Sequence, residues 1–464
     1  MQNIDASVVL SPTDLANHLA CKHVSWLNYR AMLGGPRPSK EEDELSEILR
    51  QYGTEHEAAY FEALKTHLQT LDRNIVNLDS DRDQSAPYTV AALEERAKLT
   101  AAKLADGPDA VYQPTFFSQE NGIGWVGRAD FLVATDTPSD LGNYSFEPED
   151  TKLARIAKVN AVLQLCSYAE HLTTMQGVEP EFIHVVTGSA KEGKVSIRLS
   201  EVSAYFRHVK EVLQNEVLNQ FAGHSEPVPV ENCTMCRWNK DCTRWWREHD
   251  HLSFVAGLQN GHREALNAFG IFTLKEFATS DDSLVVPDIE EEALHRLRRQ
   301  AQLQYATRVN RELDAEALPE TEFLLPLKDF RGFNLLPTPN PGDLFYDIEG
   351  HPYRTDEGLE YLHGFSWQEA DGSFQYKEIW AHTADQERQA LIEVLDFINE
   401  RRAVPGFEDM RVYHFGHYEP SALRRLATRY ATRETELNAL LRERVFCDLS
   451  RVVTQSMRIG VESY

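Results

Sequence analysis

The sequence predicts an α/β protein with mixed β-sheets, and three observations lead to this expectation. Apolar residues recur at helical spacing in long segments, first at 41–71 and then at 89–106. Strand-like runs lie between such segments, so helices and strands alternate along the chain. A length of 464 residues suffices for two or three domains of about 100–200 residues each. We expect four segments, at 1–250, 251–318, 319–341 and 342–464.

The composition is ordinary for a globular protein, with 42% hydrophobic and 26% charged residues. No apolar run reaches the length of about 18 residues that a membrane-spanning helix needs, and the N-terminus lacks a secretory signal pattern. We therefore expect a cytoplasmic protein with no membrane partner. The net charge of -26 argues against a polyanion binder. A local basic groove can nevertheless coexist with an acidic total, and metal sites themselves use carboxylates.

The first segment, 1–250, opens with helices. Ser11-Pro12-Thr13-Asp14 is a typical helix start and predicts a helix as far as Met32. Asn121-Gly122 predicts a hairpin turn between the first two of three strands. The order helix, three strands, helix, strand predicts a mixed sheet. The expected strands lie at 111–118, 124–135, 144–151, 182–187 and 195–199, and the later helices at 157–176 and 202–221.

The stretch from Trp125 to Arg155 is the one around which this segment is organised. It reads as two adjacent strands, with Asp130 on the first and Asp150-Thr151-Lys152 at the end of the second. Carboxylate oxygens bind Mg²⁺ or Mn²⁺, and a lysine can orient or deprotonate a water and offset charge in the transition state. The stretch therefore predicts metal-dependent hydrolysis of phosphodiesters.

Three more side chains are candidates for the same centre. His56 lies on a predicted acidic helix, where it is either a surface residue or a nitrogen ligand that suits Mn²⁺. Gln164 and Tyr168 are spaced i,i+4 and share one face of a predicted helix. Ordinary helix packing would explain that pair equally well.

Four of the six cysteines are candidates for a single site: Cys21, Cys233, Cys236 and Cys242. Zinc prefers four thiolates as two close pairs, whereas iron–sulfur clusters often take unevenly spaced cysteines. The spacing favours a cluster, with Zn²⁺ as the alternative, and the site would tie the first helix to the end of the segment. Cys166 and Cys447 stand in apolar surroundings and are expected to be inert core residues.

Two segments without candidate catalytic residues follow. Residues 251–318 read as polar helices with a Gly-Ile turn between Leu266 and Leu274. This resembles a helix-hairpin-helix, whose turn amides contact phosphates without reading sequence, although any short helical hairpin has a similar pattern. Residues 319–341 contain five prolines in 23 positions, which predicts a linker or a loop that leads into the next domain.

The last segment, 342–464, holds a second set of acids. Asp347 and Glu349 are spaced i,i+2 on a strand, so both point to one face, and their apolar neighbours predict that the strand is buried. Glu419 begins a later helix, and Asp448 follows another strand. Such acids can hold a pair of divalent ions for phosphoryl transfer. The alternative is a chance pair on an exposed strand. Further strands are expected at 361–368, 374–381 and 409–415, with a helix at 385–402.

Together, the motifs of residues 1–250 resemble the RecB-like branch of the PD-(D/E)XK nuclease superfamily that carries a 4Fe–4S cluster. The resemblance implies a restriction-endonuclease-like mixed-sheet fold. It implies His56, Asp130 and Asp150 as the ligands of Mg²⁺ or Mn²⁺, with Lys152, Gln164 and Tyr168 completing the catalytic set. It also implies that a 4Fe–4S cluster is bound by Cys21, Cys233, Cys236 and Cys242.

The last segment resembles RNase H-like exonuclease domains of the DEDD type. Asp347 and Glu349 match the first motif, Glu419 stands where an Asp is usual in the second, and Asp448 begins a later motif. A fourth acid is missing, so we expect a domain that is incomplete at its C-terminus and a longer protein that continues into a helicase. The architecture implies a nuclease, specifically a single-strand exonuclease, that acts on DNA with free ends in DNA repair or foreign-DNA processing. Two alternatives stay open: a non-catalytic DNA-binding scaffold, and catalysis by the RNase H-like domain.

Overall fold

The computed structural model describes residues 1–39, 44–79, 88–154, 156–188, 193–223, 225–325, 328–352, 354 and 357–463. The chain divides into two compact units, Met1–Trp245 and Trp246–Tyr464. The first boundary lies close to the predicted one at residue 250, whereas the three later predicted segments fall into one unit. Residues 41–43 of the first predicted long helix, and Arg155 at the end of the acidic stretch, lie outside the described residues.

The N-terminal unit contains seven of the described helices. They are α1 (Pro12–Ala20), α2 (Lys22–Met32), α3 (Glu44–Thr70), α4 (Val90–Ala105), α5 (Val159–Gln176), α6 (Leu199–Leu218) and α7 (Asn239–Glu248), the last of which crosses the unit boundary. Its strands are β1 (Gln2–Ile4), β2 (Ser7–Leu10), β3 (Ile75–Asn77), β4 (Ala110–Tyr112), β5 (Thr115–Glu120), β6 (Ile123–Arg128), β7 (Phe131–Thr135), β8 (Ser145–Lys152), β9 (Phe182–Thr187) and β10 (Lys194–Arg198).

These strands form two sheets. One has the order β1-β2-β6-β5, and the other has the order β10-β9-β8-β7-β4-β3. Each combines parallel and antiparallel pairs, as predicted: β8 runs antiparallel to β7 and parallel to β9. Apolar residues from both sheets and from α5 and α6 share one core. α5 is buried around most of its circumference, so it holds a fixed position against β8.

Short sequence motifs correctly predicted one helix start and one hairpin turn. Ser11 and Asp14 form the predicted helix start, with Asp14 Oδ2 accepting from Ser11 N at 3.0 Å. Asn121 and Gly122 have φ of 53° and 78° and close a two-residue turn between β5 and β6, as a type I′ hairpin requires. The single first helix was wrong, because Cys21 is extended and separates α1 from α2.

The expected strand at 124–135 is also two strands. β6 ends at Arg128 and belongs to the four-stranded sheet, whereas β7 begins at Phe131 and belongs to the six-stranded sheet. Asp130 therefore lies at the passage from one sheet to the other, not within a strand. At such a bend, side chains do not have to point alternately to the two faces of a sheet as they do within a strand.

The C-terminal unit has a five-stranded sheet with the order β14-β13-β12-β15-β16 and a two-stranded one, β11-β17. The strands are β11 (Thr321–Phe323), β12 (Leu344–His351), β13 (Leu359–Gln368), β14 (Phe374–Trp380), β15 (Val412–His414), β16 (Phe446–Asp448) and β17 (Met457–Ile459). The described helices are α8 (Asn260–Ala268), α9 (Leu274–Ala278), α10 (Glu291–Leu313), α11 (Ala384–Arg402), α12 (Tyr418–Tyr430), α13 (Glu434–Arg442) and α14 (Leu449–Ser456).

The predicted linker at 319–341 is integrated into this unit. Its strand β11 pairs with β17, with Thr321 opposite Ile459 and Phe323 opposite Met457. Pro326 and Leu327 lie outside the described residues. Proline-rich sequence is compatible with a short edge strand, because an edge strand needs only one side of hydrogen bonds. None of the helices in the described part of the chain combines the length and the apolar character that crossing a bilayer requires.

Candidate active site

Asp150 is fully buried near the end of β8. Its Oδ1 accepts a hydrogen bond from Gln164 Nε2 at 3.1 Å, and its Oδ2 forms an ion pair with Lys152 Nζ. Burial and the charge of Asp130 raise the pKa of Asp150 to about 7, against the opposing effect of Lys152. The acid and the lysine of the predicted Asp150-Thr151-Lys152 motif are therefore in contact, and the carboxylate is strongly perturbed.

Asp130 lies beside this pair. Its Oδ2 accepts hydrogen bonds from the backbone N of Thr151 at 2.7 Å and from Thr151 Oγ1 at 2.8 Å. Phe131, the next residue, pairs with Glu149 across β7 and β8. The antiparallel register thus places Asp130 next to Asp150 although the bend removes it from the strand. The structure brings together the two predicted carboxylates.

Gln164 and Tyr168 meet on α5, as their spacing predicted. Gln164 Nε2 donates to Tyr168 Oη at 2.7 Å as well as to Asp150. Burial, the charge of Asp150 and that of Asp130 raise the pKa of Tyr168 well above its ordinary value. The pair is therefore more than helix packing: Gln164 connects the buried tyrosine to the buried aspartate.

His56 lies on the face of α3 that packs against β8. One turn before it, a β-carbon at Gly53 would lie 3.6 Å from Leu153 Cδ1, and one turn after it Tyr60 Oη donates to Glu149 Oε2 at 2.6 Å. His56 Nε2 is buried and has no hydrogen-bond partner among the described residues. The structure thus turns His56 toward the strand that carries Asp150, but no described hydrogen bond joins it to either aspartate.

Glu57 belongs to the same region and was missed by the sequence analysis. Burial and the charge of Asp130 raise its pKa, while Lys152 lowers it, so all three groups are neighbours. Glu57 Oε1 accepts from Tyr112 Oη at 2.9 Å and from Gln113 Nε2 at 2.5 Å. Its i,i+4 spacing from Gly53 on the packed face of α3 is the signal that points to it.

A divalent cation at this centre needs several oxygen or nitrogen ligands around one point. Among the described residues, no three His, Cys, Asp or Glu side chains are arranged to hold a single metal ion. Two features nevertheless fit such an ion: the charge of Asp130, which raises the pKa of Asp150, and the buried His56 Nε2, which has no hydrogen-bond partner among the described residues. A carboxylate pair with an imidazole is a donor set for Mg²⁺ or Mn²⁺.

The four clustered cysteines line one small cavity. Cys21 lies between α1 and α2, Cys233 and Cys236 lie in and just after a 3₁₀ turn at Glu231–Met235, and Cys242 lies on α7. Burial and the other three thiols raise the pKa of Cys242 to about 12. Thiolates held this close repel one another unless a positive centre neutralises them.

Hydrogen bonds already support this cavity. The backbone N of Val230 donates to Cys233 Sγ at 3.3 Å, and that of Trp238 donates to Cys236 Sγ at 3.4 Å. Such bonds to sulfur tune iron–sulfur centres. Four sulfurs that line one cavity are a donor set for a four-thiolate zinc ion as well as for an iron–sulfur cluster.

The predicted connection between the first helix and the end of the segment also includes direct hydrogen bonds. Asn28, buried on α2, accepts through Oδ1 from Arg237 Nη2 at 2.7 Å and from Trp238 Nε1 at 2.8 Å. The indole of Trp238 is itself buried. The cysteine segment is thus attached to the second helix through one amide oxygen, next to the thiols.

The second set of acids divides into exposed and buried members. On β12, Leu344, Tyr346 and Ile348 are buried, whereas Asp347 and Glu349 are exposed on the opposite face. The prediction of a buried strand thus holds for one face only, because the helices cover one side of the sheet. Both acids do share one face, as their i,i+2 spacing predicted.

Glu419 and Asp448 occupy different surroundings. Glu419 is buried at the start of α12, with Oε2 lying 3.2 Å from His414 Nδ1. Asp448 caps α14: its Oδ1 accepts from Ser450 N at 2.9 Å and from Gly416 N at 3.0 Å. One oxygen of Asp448 therefore has a structural role, because it satisfies helix N-terminal amides.

In the predicted phosphate-binding hairpin between α8 and α9, backbone N–H groups already donate to carboxylates of the protein itself. The backbone N–H groups of Phe272 and Thr273 donate to Glu276 Oε2 at 2.9 and 3.0 Å. The N–H of Lys275 donates to Asp250 Oδ2 at 2.9 Å. A phosphate would have to displace these carboxylates, so the helical hairpin is present but its amides do not favour phosphate contact.

A sequence profile of the RNase H superfamily matches residues 344–464, about a quarter of the chain. The match begins at the first residue of β12 and includes all four acids of the second set. No curated protein matches the chain. The C-terminal part therefore contains an RNase H-like domain.

Proposed function

We propose that this protein is a metal-dependent nuclease whose catalytic centre contains Asp130, Asp150 and Lys152. The observation that carries the proposal is the contact between the buried Asp150 and Lys152, next to a second carboxylate. Perturbed acids with a specific charge partner are typical of catalytic groups. Domains of the RNase H superfamily are commonly nucleases, and the match at 344–464 is consistent with a nucleic-acid substrate.

Asp130, Asp150 and His56 are the residues that would hold Mg²⁺ or Mn²⁺. When bound, the ion supplies Lewis acidity and polarises the phosphate. Lys152 remains 32% exposed, so its ammonium is accessible to substrate and offsets charge that develops on the phosphate.

Neighbouring side chains position these groups. Gln164 holds Asp150 through Oδ1, and Thr151 holds Asp130 through Oδ2. Tyr168 limits the motion of Gln164 because it accepts a hydrogen bond from the same amide nitrogen. Both carboxylates are thus oriented before substrate binds, which lowers the cost of reaching the reactive geometry.

The finer assignment follows the resemblance to RecB-like nucleases. We place the protein among cytoplasmic exonucleases that degrade single-stranded DNA with free ends, in repair or foreign-DNA processing, with a helicase domain or subunit as partner. The cysteine cavity supports a structural 4Fe–4S cluster. The cluster would fasten α2 and the segment at 233–242 around the centre.

A second candidate is catalysis by the RNase H-like domain. It is favoured by the superfamily match and by the exposure of Asp347 and Glu349 on one face. The capping role of Asp448 counts against it, because one oxygen of this acid already accepts from helix N-terminal amides. We therefore assign catalysis to the N-terminal centre.

The test compares metal-dependent cleavage of labelled single strands by Asp150→Asn, Lys152→Ala and Asp347→Asn. The first two variants should lose activity with Mg²⁺ and with Mn²⁺, whereas Asp347→Asn should retain it. Asp72→Asn, at an exposed position, is the matched control for an acid-to-amide change. Circular dichroism establishes that each variant is folded.

Three outcomes contradict the proposal. Undiminished cleavage by both Asp150→Asn and Lys152→Ala would show that the N-terminal centre is not the catalytic one. Loss of cleavage in Asp347→Asn alone moves catalysis to the RNase H-like domain. DNA binding without any metal-dependent cleavage by the native protein indicates a scaffold.

A further inference from the structure

A cleft of about 370 Å³ opens beside the proposed centre. Asp130, Gln164 and Tyr168 belong to its lining, so it reaches one acid of the centre. Arg96 on α4 and Arg128 at the end of β6 belong to the same lining. The same two arginines also line a smaller adjoining cleft of about 40 Å³. The cleft therefore brings two cationic side chains and Asp130 of the candidate catalytic centre into one lining.

The two arginines of this cleft are opposite in charge to the chain as a whole. The protein carries a net charge of -26, yet two guanidinium groups are placed next to its proposed catalytic acids. Arg128 is exposed and Arg96 is half-buried. Arg96 has no ion-pair partner among the described residues. Guanidinium groups match phosphate oxygens in charge and in geometry.

An aromatic ring stands at the same cleft. Tyr88 lines it two residues before α4 begins, and its side chain is 47% exposed. Grooves that combine positive charge with accessible aromatic rings are typical of single-strand binding, because phosphates contact the cations and bases stack on the rings. A duplex keeps its bases stacked inside, so it cannot use such a ring.

We propose that this cleft binds one unpaired strand of nucleic acid: Arg96 and Arg128 contact its phosphates, Tyr88 stacks on a base, and the backbone is led to Asp130. The inference rests on the proposed function and names the strand path of that same site. It is also compatible with the negative net charge of the chain, because the contacts to phosphate are concentrated in one cleft and do not require a basic surface.

The experiment measures equilibrium binding of a fluorescent oligothymidylate to the full chain by anisotropy, with EDTA present so that nothing is cleaved. Arg96→Gln and Arg128→Gln should each weaken binding about tenfold. Each should also reduce the slope of log affinity against log salt by about 0.7, the share of one phosphate contact on a single strand. Tyr88→Leu should weaken binding by a similar factor and leave the salt slope unchanged.

The matched control is Lys98→Gln, because Lys98 is an exposed cation on α4 and does not line the cleft. It should bind like the native protein. A blunt duplex of matched length should show no difference between native protein and Tyr88→Leu.

The proposal is overturned if the arginine variants keep native affinity and salt slope. It is also overturned if Lys98→Gln loses as much affinity as Arg96→Gln, or if duplex and single strand respond alike to Tyr88→Leu. Native binding through this cleft without cleavage in Mg²⁺ or Mn²⁺ would instead contradict the proposed nuclease activity and leave the strand path standing.

Discussion

The ring of Tyr168 lies directly against the backbone of Gly127, where an added β-carbon would come within 2.9 Å of Tyr168 Cε1. Gly127 is on β6 and Tyr168 is on α5, so the absence of a side chain on the strand lets the helix approach. Through Gln164, this contact determines where the ring stands relative to Asp150.

Gly127→Ala should therefore disturb the centre without altering any catalytic group. We expect a loss of about 1–3 kcal/mol in the free energy of unfolding, the usual cost of overpacking, and at least tenfold lower cleavage as Gln164 shifts. Urea denaturation and steady-state cleavage measure the two effects. Gly261→Ala, where a β-carbon meets open space, is the control. Native activity in Gly127→Ala would show that the position of Tyr168 does not matter.

The cysteine cavity predicts a colour. Anaerobically purified protein should be brown, with visible absorbance and bound iron, and Cys236→Ser should lose both because one of four sulfur ligands is removed. Cys447→Ser should stay brown, since Cys447 lies away from the cavity lining. Metal analysis and absorbance spectra measure this. A colourless native protein that contains zinc would contradict the cluster.

The buried ion pairs of Lys210 are expected to contribute to the free energy of unfolding. Its ammonium is buried between Glu120, at 3.0 Å, and Glu170, and it lies over the ring of Trp125. Lys210→Met should lower the free energy of unfolding by about 1–3 kcal/mol, because both partly exposed carboxylates lose their donor. Lys103→Met, which removes an exposed pair with Asp106, should cost less than about 1 kcal/mol. Equal losses in thermal or urea unfolding would refute the difference.

His363 predicts sensitivity to acid in the RNase H-like domain. It is fully buried with Nδ1 2.8 Å from Tyr346 Oη, and burial lowers its pKa from 6.5 to about 4. The unfolded chain binds a proton below pH 6.5 and the folded chain does not. Stability is therefore complete above pH 6.5 and falls by up to about 3 kcal/mol as the pH approaches 4.

The measurement is hydrogen exchange of peptides that cover β12 and β13, above pH 6.5 and near pH 4. His363→Asn removes the titrating group and should flatten the pH dependence, whereas His382→Asn, at an exposed position, should not. An unchanged profile in His363→Asn would assign the acid sensitivity to other groups.

Part of the centre followed from local periodicity. Gln164 and Tyr168 are one helical turn apart, and Asp150 and Lys152 are two positions apart on a strand, so each pair shares a face wherever the element lies. The helix start at Ser11 and the hairpin turn at Asn121 depend on side-chain and backbone preferences of a few residues. The sequence was sufficient for such relationships.

Relationships between distant elements were different. Asp130 was expected within a strand, but the chain leaves the four-stranded sheet before it and joins the six-stranded sheet after it. Glu57 becomes a neighbour of Asp130 only because α3 packs on β8. The predicted linker became strand β11 because β17 pairs with it. Sheet membership is decided by long-range pairing, which no short window of sequence contains.

The sequence by itself determined which residue types this protein has for its chemistry: the Asp-Thr-Lys run, the helical Gln and Tyr, and the uneven set of cysteines. Only the tertiary structure decided that Asp150 is buried against Lys152, that four thiols line one cavity, and that Arg96, Arg128 and Tyr88 open onto the same cleft. Burial and the distances between side chains far apart in sequence depend on how helices and sheets pack, and packing is a property of the whole fold.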